Sequence, residues 1–280
     1  MKHNIIFSIY LCLFGAMLLV GCDKVDQDSR IVFSGAAGTW YDGNGVSDHS
    51  QRALIEKYTG PQCNNCPNAD NAIHAALDAY SGKLIAISIH DSSYFGTPLC
   101  DVDMRTDDGN SWSTYFGFRD ESKPSAFVNR ATAHFDPKSG IEALVDPIVA
   151  NEPVVALEVS SQINGTTASI DVNVEYLRNC SDNLTVTLVL IEDGIVATQM
   201  MPDGSHNENY VHNHILRDVI TDIWGADVDA DGTAGCKRHA IFQYAIPSSE
   251  WNLENCHVVA FLSYPDKKIA NTAECPLGMK

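Results

Sequence analysis

The fold class predicted by this sequence is an α/β unit followed by an all-β sandwich, on three observations. A strand pattern, a Cys63-Asn64-Asn65-Cys66-Pro67 turn, a helical pattern and a second apolar strand follow one another between residues 52 and 90. That is βαβ order. From Val154 onward the texture changes to apolar–polar alternation broken by polar turns, the mark of half-buried antiparallel strands. Pro153 marks the change, which places the boundary near residue 152 and predicts bodies over 51–151 and 152–280.

The amino end comes first. Lys2 supplies a positive charge, Ile5 to Val20 carries none, and Gly21 precedes Cys22. A charged region, an apolar run and a small residue at a cut site predict a signal peptide over 1–21. The run is shorter than the roughly 20 residues of a spanning helix. Leu19-Val20-Gly21-Cys22 resembles the bacterial lipobox, which implies cleavage before Cys22 and lipid on its sulfur. Two or more acyl chains there would anchor the protein stably to a membrane. Polar, glycine-rich residues 22–50 predict a tether.

The elements of the first body follow in order. Arg52–Gly60 predicts a strand ended by Gly60-Pro61. Pro67 suits a first helical turn, where its missing N–H is not needed. Ala69, Ile73, Ala76, Leu77 and Tyr80 then recur at helical spacing, and Gly82 stops the helix. Lys83–His90 is nearly all apolar, as in a strand buried on both faces. Asp107–Phe116 predicts a short helix, with two aspartates in its first turn. Pro124 opens the next strand, and Gly140–Val149 predicts a last helix. In the second body, Val155/Leu157/Val159, Ile170/Val172/Val174 and Val186/Leu188/Leu190 alternate, and Ile241–Ile246 and Val258–Leu262 follow as strands.

Charge and cysteine content bound the chemistry. With 36 acidic and 18 basic residues the net charge is -18, which excludes nucleic acid as a partner, because phosphate binding needs a basic surface. Of nine cysteines, Cys12 leaves with the signal and Cys22 takes lipid. The seven that remain are an odd number, and outside the cytoplasm disulfides are the default expectation.

Cys63 and Cys66 lie between a strand and a helix in βαβ context, with a proline ahead of a later strand. This predicts a thioredoxin-like redox pair and a Cys63–Cys66 disulfide. A helix start favours a thiolate and lowers the pKa of Cys63. Cys63 would attack a partner's disulfide, and Cys66 would resolve the mixed disulfide. Pro124 matches by position the cis-proline that faces the sulfurs in thioredoxin-like proteins. His90 and Asp91 end the second strand at the same edge. Glu56 stands roughly where thioredoxins keep a buried proton acceptor. Two departures matter: Gln62 replaces the usual tryptophan, and Asn64-Asn65 the Gly-Pro of reducing thioredoxins. The same pair also suits a stable structural disulfide. Zinc would need two more ligands. His212 and His214 would share one face of a strand, but they belong to the second expected body. No cofactor is expected.

Further segments carry a family resemblance. They are Glu56-Lys57-Tyr58-Thr59-Gly60 leading into Cys63–Pro67, Tyr115-Phe116-Gly117-Phe118, Pro124 to Asn129-Arg130, Tyr210 to Arg217 and Asn255 to Phe261. Together, from about residue 52 to 265, they resemble the 28-kDa outer-membrane proteins, lipoproteins of Gram-negative anaerobes. The resemblance implies a thioredoxin-like domain followed by an immunoglobulin-like sandwich at the outer membrane, and implies no settled activity. An immunoglobulin-like strand order would pair Cys180 with Cys236 and Cys256 with Cys275, leaving Cys100 free. Asp227, Asp229, Asp231 and Gly232 copy the opening of an EF-hand loop, a calcium candidate, although the twelfth position is Arg238. Two functions stay open: thiol–disulfide exchange on exported proteins, and surface binding or adhesion on a non-catalytic scaffold.

Overall fold

The computed structural model describes residues 39–247 and 251–278. The expected signal peptide and Cys22 lie outside the described residues, as does the tether up to residue 38. The fold is mostly β with few helices. Its strands are β1 (Tyr41–Asp42), β2 (Ala53–Thr59), β3 (Leu84–His90), β4 (Ser125–Val128), β5 (Val155–Asn164), β6 (Thr167–Tyr176), β7 (Thr185–Glu192), β8 (Ile195–Met200), β9 (His206–His212), β10 (Ile215–Val219), β11 (Ala226–Asp227), β12 (Lys237–Ala245), β13 (Cys256–Ser263) and β14 (Ile269–Pro276). The helices are α1 (Cys66–Tyr80), α2 (Asp107–Tyr115) and α3 (Ile141–Val149).

Residues 39–50, expected as tether, belong to the body. Trp40 is buried and its Nε1 donates to the Asp227 carbonyl at 2.7 Å, while β1 pairs with β12. A large aromatic with a polar handle gains too much from burial to stay in a linker.

β2 and β3 run parallel from Ala53↔Leu84 to Thr59↔His90, as a βαβ crossover through α1 requires. β4 adds antiparallel to the other side of β2. α1 ends at Ser81, which takes a left-handed conformation with φ 44° and donates its N–H to the Leu77 carbonyl; Gly82 follows with φ 82°. α2 is capped by Thr106, whose Oγ1 accepts from Gly109 N at 2.9 Å.

Hydrogen bonding crosses the change of texture near residue 152. The long sheet has the order β14-β13-β7-β10-β3-β2-β4. β10 lies parallel to β3 at Ile215↔Ser88 and antiparallel to β7. The long sheet then curls. Its last strand meets the other end of the sheet, with Ile269 N donating to Asn129 O at 2.9 Å and Gln51 Nε2 to Ala270 O at 2.9 Å. A second sheet, β1-β12-β6-β5, is antiparallel throughout. β8 and β9 form a separate hairpin.

Three cores result. Between the sheets lie Tyr176, Leu188, Leu190, Phe242 and Val258. The opposite face of the long sheet gathers Leu54, Ile87, Trp112, Val189, Leu216 and Phe261, residues from both halves of the chain. α1 and α3 bury Ile73, Ala76 and Val145 against Ile55, Ala86 and Val128. β7 is buried on both faces, with Leu188 and Leu190 in one core and Val189 and Ile191 in another. Each such side chain contributes roughly 1.5–3 kcal/mol of burial.

Candidate functional site

β2 ends at Thr59, and Gly60 turns the chain towards the two cysteines. A Cβ on Gly60 would lie 2.1 Å from the Phe95 carbonyl oxygen, so only glycine fits there. Gln62 N donates to that oxygen at 3.0 Å, and Cys63 N to Gly60 O at 3.1 Å. Cys63 and Cys66 are bonded, with an S–S distance of 2.09 Å. Cys66 opens α1, and Pro67 follows it in the first turn. The Lys123–Pro124 peptide bond is cis. The register Tyr58↔Ser125 brings Pro124 to the end of β2 that leads to Cys63. An open groove of about 460 Å³ runs there, lined by Asn65, Glu121, Lys123, Pro124 and His134.

The bond is covered. Cys63 and Cys66 are each 1 % exposed. The β8–β9 hairpin docks on the turn that carries Cys63: Gln199 Nε2 donates to Cys63 O at 2.8 Å and to Gly60 O at 3.4 Å, and Met200 N donates to Pro61 O at 2.8 Å.

Alternate residues of β2 face opposite sides. Glu56 faces away from α1. It accepts from Arg130 Nε at 2.8 Å and Arg130 Nη2 at 2.7 Å, and the guanidinium lies 4.7 Å from the Trp112 ring and 4.9 Å from that of Phe261. Glu56 is therefore half of a closed ion pair, not the proton acceptor expected beside the cysteines. The charge on the α1 side is Lys57. It pairs with Asp70, one turn beyond Cys66, and Asp70 also accepts from Tyr210 Oη at 2.7 Å. Burial pushes the Lys57 amine down to about 7, because a desolvated ammonium is disfavoured.

His90 and Asp91 part company. Asp91 lies 3.2 Å from Lys123 Nζ and accepts from Ser113 Oγ, which ties it to the residue before Pro124. His90 meets His212 of β9 with ring centroids 5.7 Å apart. Burial pushes His212 down to about 4 and His90 well below its usual value. His212 and His214 do not share a face. β9 ends at His212, and His214 has φ 59°; it turns to Asp193 at 3.3 Å and to the ring of His74 at 5.6 Å.

The other sequence candidates are dispersed. Cys180, Cys236, Cys256 and Cys275 are free thiols, so neither bridge implied by an immunoglobulin-like order is formed. Register explains it. Cys180 N bonds Gly232 O while Tyr176 N bonds Cys236 O, which sets that pair four positions apart. Cys275 faces Val258, and Leu277 bonds Cys256, which leaves the second pair on a diagonal. A diagonal two positions off spans about 7–8 Å, and an offset of four more still, both beyond disulfide reach. Burial pushes the Cys256 and Cys275 thiols up to about 12 and about 11. Cys100 is exposed, and N–H groups of Thr198 and Val102 lower its pKa. The three aspartates do not converge. Asp229 pairs with Arg238 at 3.1 Å, Asp231 accepts from Thr233, and Asp227 pairs with Thr185 in the ladder. Among the described residues no group of three or more His, Cys, Asp or Glu is placed to hold a metal ion.

Sequence reasoning places His90 at the edge of the cysteine site and weighs His212 only for zinc; it singles out neither Lys57, Asp70 nor Tyr210. The available signal was Lys57 itself, a charged residue inside a strand that is otherwise nearly all apolar on the α1 face.

Known structures share the fold. HBP35 of Porphyromonas gingivalis superposes with a TM-score of 0.62 at 13% identity, over 82% of this chain and 76% of that one. Protein AGR_C_4864 from Agrobacterium tumefaciens gives 0.51 at 16% identity, over 84% and 97%. No curated protein matches the chain. The family described as outer membrane protein Omp28 matches residues 112–278, a span that begins after the cysteine pair and takes in more than half the chain; the protein belongs to that family, which places it at the outer membrane.

Proposed function

We propose that this outer-membrane protein carries out thiol–disulfide exchange on exported proteins, through a thioredoxin-like unit formed by β2, α1, β3 and β4. Lipid on Cys22 would hold it to the membrane, with β7, β13 and β14 packed on β5, β6 and β12 in the manner of a sandwich. One observation carries the proposal: a bonded cysteine pair at the start of α1, directly after a parallel strand, with Pro124 alongside. In the reduced protein, the Cys63 thiolate attacks one sulfur of a partner disulfide and releases the other as a thiolate. Cys66 then attacks Cys63 Sγ, frees the second partner thiol and leaves the Cys63–Cys66 bond. The reverse sequence oxidises a partner dithiol. Helix-start amides stabilise the Cys63 thiolate that both directions need.

The burial of both sulfurs favours a second function, a non-catalytic surface-binding scaffold stapled by the same bond. Full-length Cys66→Ser separates the two. An exchanger lacking its resolver accumulates mixed disulfides through Cys63, visible as reductant-sensitive bands on a gel and absent from Cys63→Ser/Cys66→Ser. If the two variants behave alike, the scaffold remains.

A further inference from the structure

The β8–β9 hairpin belongs to neither main sheet, yet it is hydrogen-bonded to the turn that carries the buried disulfide. Its contacts inward are mostly polar. Gln199 reaches Cys63 and Gly60, Met200 N reaches Pro61, and Tyr210 reaches Asp70. Its apolar anchorage is small, chiefly Ala197 against Met104 and Ile215. Outward it leaves the cross-strand pair Val196 and Val211 exposed. Such an element sits at the low-stability end of a fold.

Beneath it lie two buried imidazoles whose surroundings disfavour charge. His90 is 2 % exposed, and neither ring nitrogen has a hydrogen-bond partner among the described residues; His212 is 4 % exposed, and its Nε2 has none. Every element around the two rings contributes titratable groups. β2 brings Lys57, and α1 brings Asp70 and His74. β9 brings Tyr210, and the hairpin's flanks bring Asp193 and His214. Arg105, bridged to His90 through the main chain, spends its guanidinium on Asp103. The two carboxylates are engaged as well, Asp70 by Lys57 and Tyr210, Asp193 by His214 and His257. An imidazolium at 90 or 212 would be buried without a counter-ion of its own, next to Lys57.

We propose that the β8–β9 hairpin is a proton-sensitive lid on the Cys63–Cys66 disulfide, and that protonation of His90 and His212 lifts it. The lid rests on the exchange function for its purpose only; the docking of the hairpin on residues 60–63 is geometry. The sign follows from burial. The closed form holds both rings neutral, whereas in the open form they titrate near the ordinary value of about 6.5. The closed form is therefore favoured above that value and loses ground as pH falls through it. With His212 held down to about 4, this ring alone shifts the balance towards open by about 30-fold at about pH 5.

The test is the rate at which a phosphine reductant cleaves the bond in full-length, detergent-solubilised protein. Each rate is divided by that of a synthetic Cys-Asn-Asn-Cys disulfide peptide at the same pH. The normalised rate should rise at least about tenfold between about pH 7.5 and pH 5, and should be flat in His90→Gln/His212→Phe. Gln199→Ala should be faster at neutral pH and keep the rise. A flat parent profile overturns the lid, as does a rise that survives in the folded double variant. If the double variant does not fold, His212→Gln and amide exchange of β8–β9 decide. Intrinsically corrected exchange must then quicken on acidification in the parent and less in the variant, and equal behaviour overturns the lid. Partner turnover with a flat profile would remove the lid and keep the exchange function. A pH-dependent profile without turnover would do the opposite.

Discussion

Glu56 and Lys57 are neighbours in the chain, point to opposite faces of one strand, and are accommodated in different ways. Glu56 meets a planar guanidinium that donates twice and lies among aromatic rings. Its charge is matched in geometry as well as sign. Lys57 meets a carboxylate shared with a tyrosine, near a His90 ring whose nitrogens have no hydrogen-bond partner among the described residues, and burial outweighs the pairing. A closed pair stiffens the structure; an imperfectly matched one leaves a group whose charge responds to its surroundings. That contrast separates a structural charge from a chemically poised one, and the poised one lies on the side of the disulfide.

The largest test of the contrast is Arg130→Ala, which strands Glu56 in the core. It should cost roughly 3–5 kcal/mol in urea unfolding, and a cost under about 1 kcal/mol would erase the distinction between the two faces. Lys57→Met should cost less, roughly 1–3 kcal/mol, since Asp70 keeps Tyr210. Its signature is in the pH dependence. Burial brings the folded-state value down to about 7, below the ordinary lysine value of 10.5, so the unfolded chain binds more protons in between. The parent should therefore gain stability as pH rises from 7 towards 9, and Lys57→Met should lose that gain. His257, raised by its hydrogen bond to Glu274, offers the smallest effect and the opposite sign. Its contribution is present below its ordinary value and disappears as pH rises through the raised one. His257→Gln should lose about 0.5 kcal/mol at acidic pH and match the parent at alkaline pH.

The β2–α1–β3 order was legible because each element has its own period and its own punctuation, Gly60-Pro61 at one end and Gly82 at the other. The continuous sheet was not. Val186, Leu188 and Leu190 alternate along β7, yet Val189 and Ile191 make the other face apolar too, the pattern of a strand with a core on each side. β10, five residues with Arg217 and Asp218 among them, carries little signal, and its place beside β3 is decided by tertiary pairing. The cysteine pair was visible from spacing. The charge that accompanies it was assigned to Glu56, one residue off, because the docking of α1 decides which face is which. His212 falls by sequence in the second expected body, and only the hairpin's fold-back brings it to His90.

The pairing of β3 with β10 has a consequence for biogenesis. During synthesis from the amino end, β2, β3 and β4 are complete long before Ile215 is made. Until then β3 has an open edge, where a neighbouring nascent chain could add a strand of its own. Residues 53–128 are thus half of a surface that closes late. Truncations ending before β10 should need holdase chaperones to stay dispersed, and the full-length chain should release them once its last strands are in place.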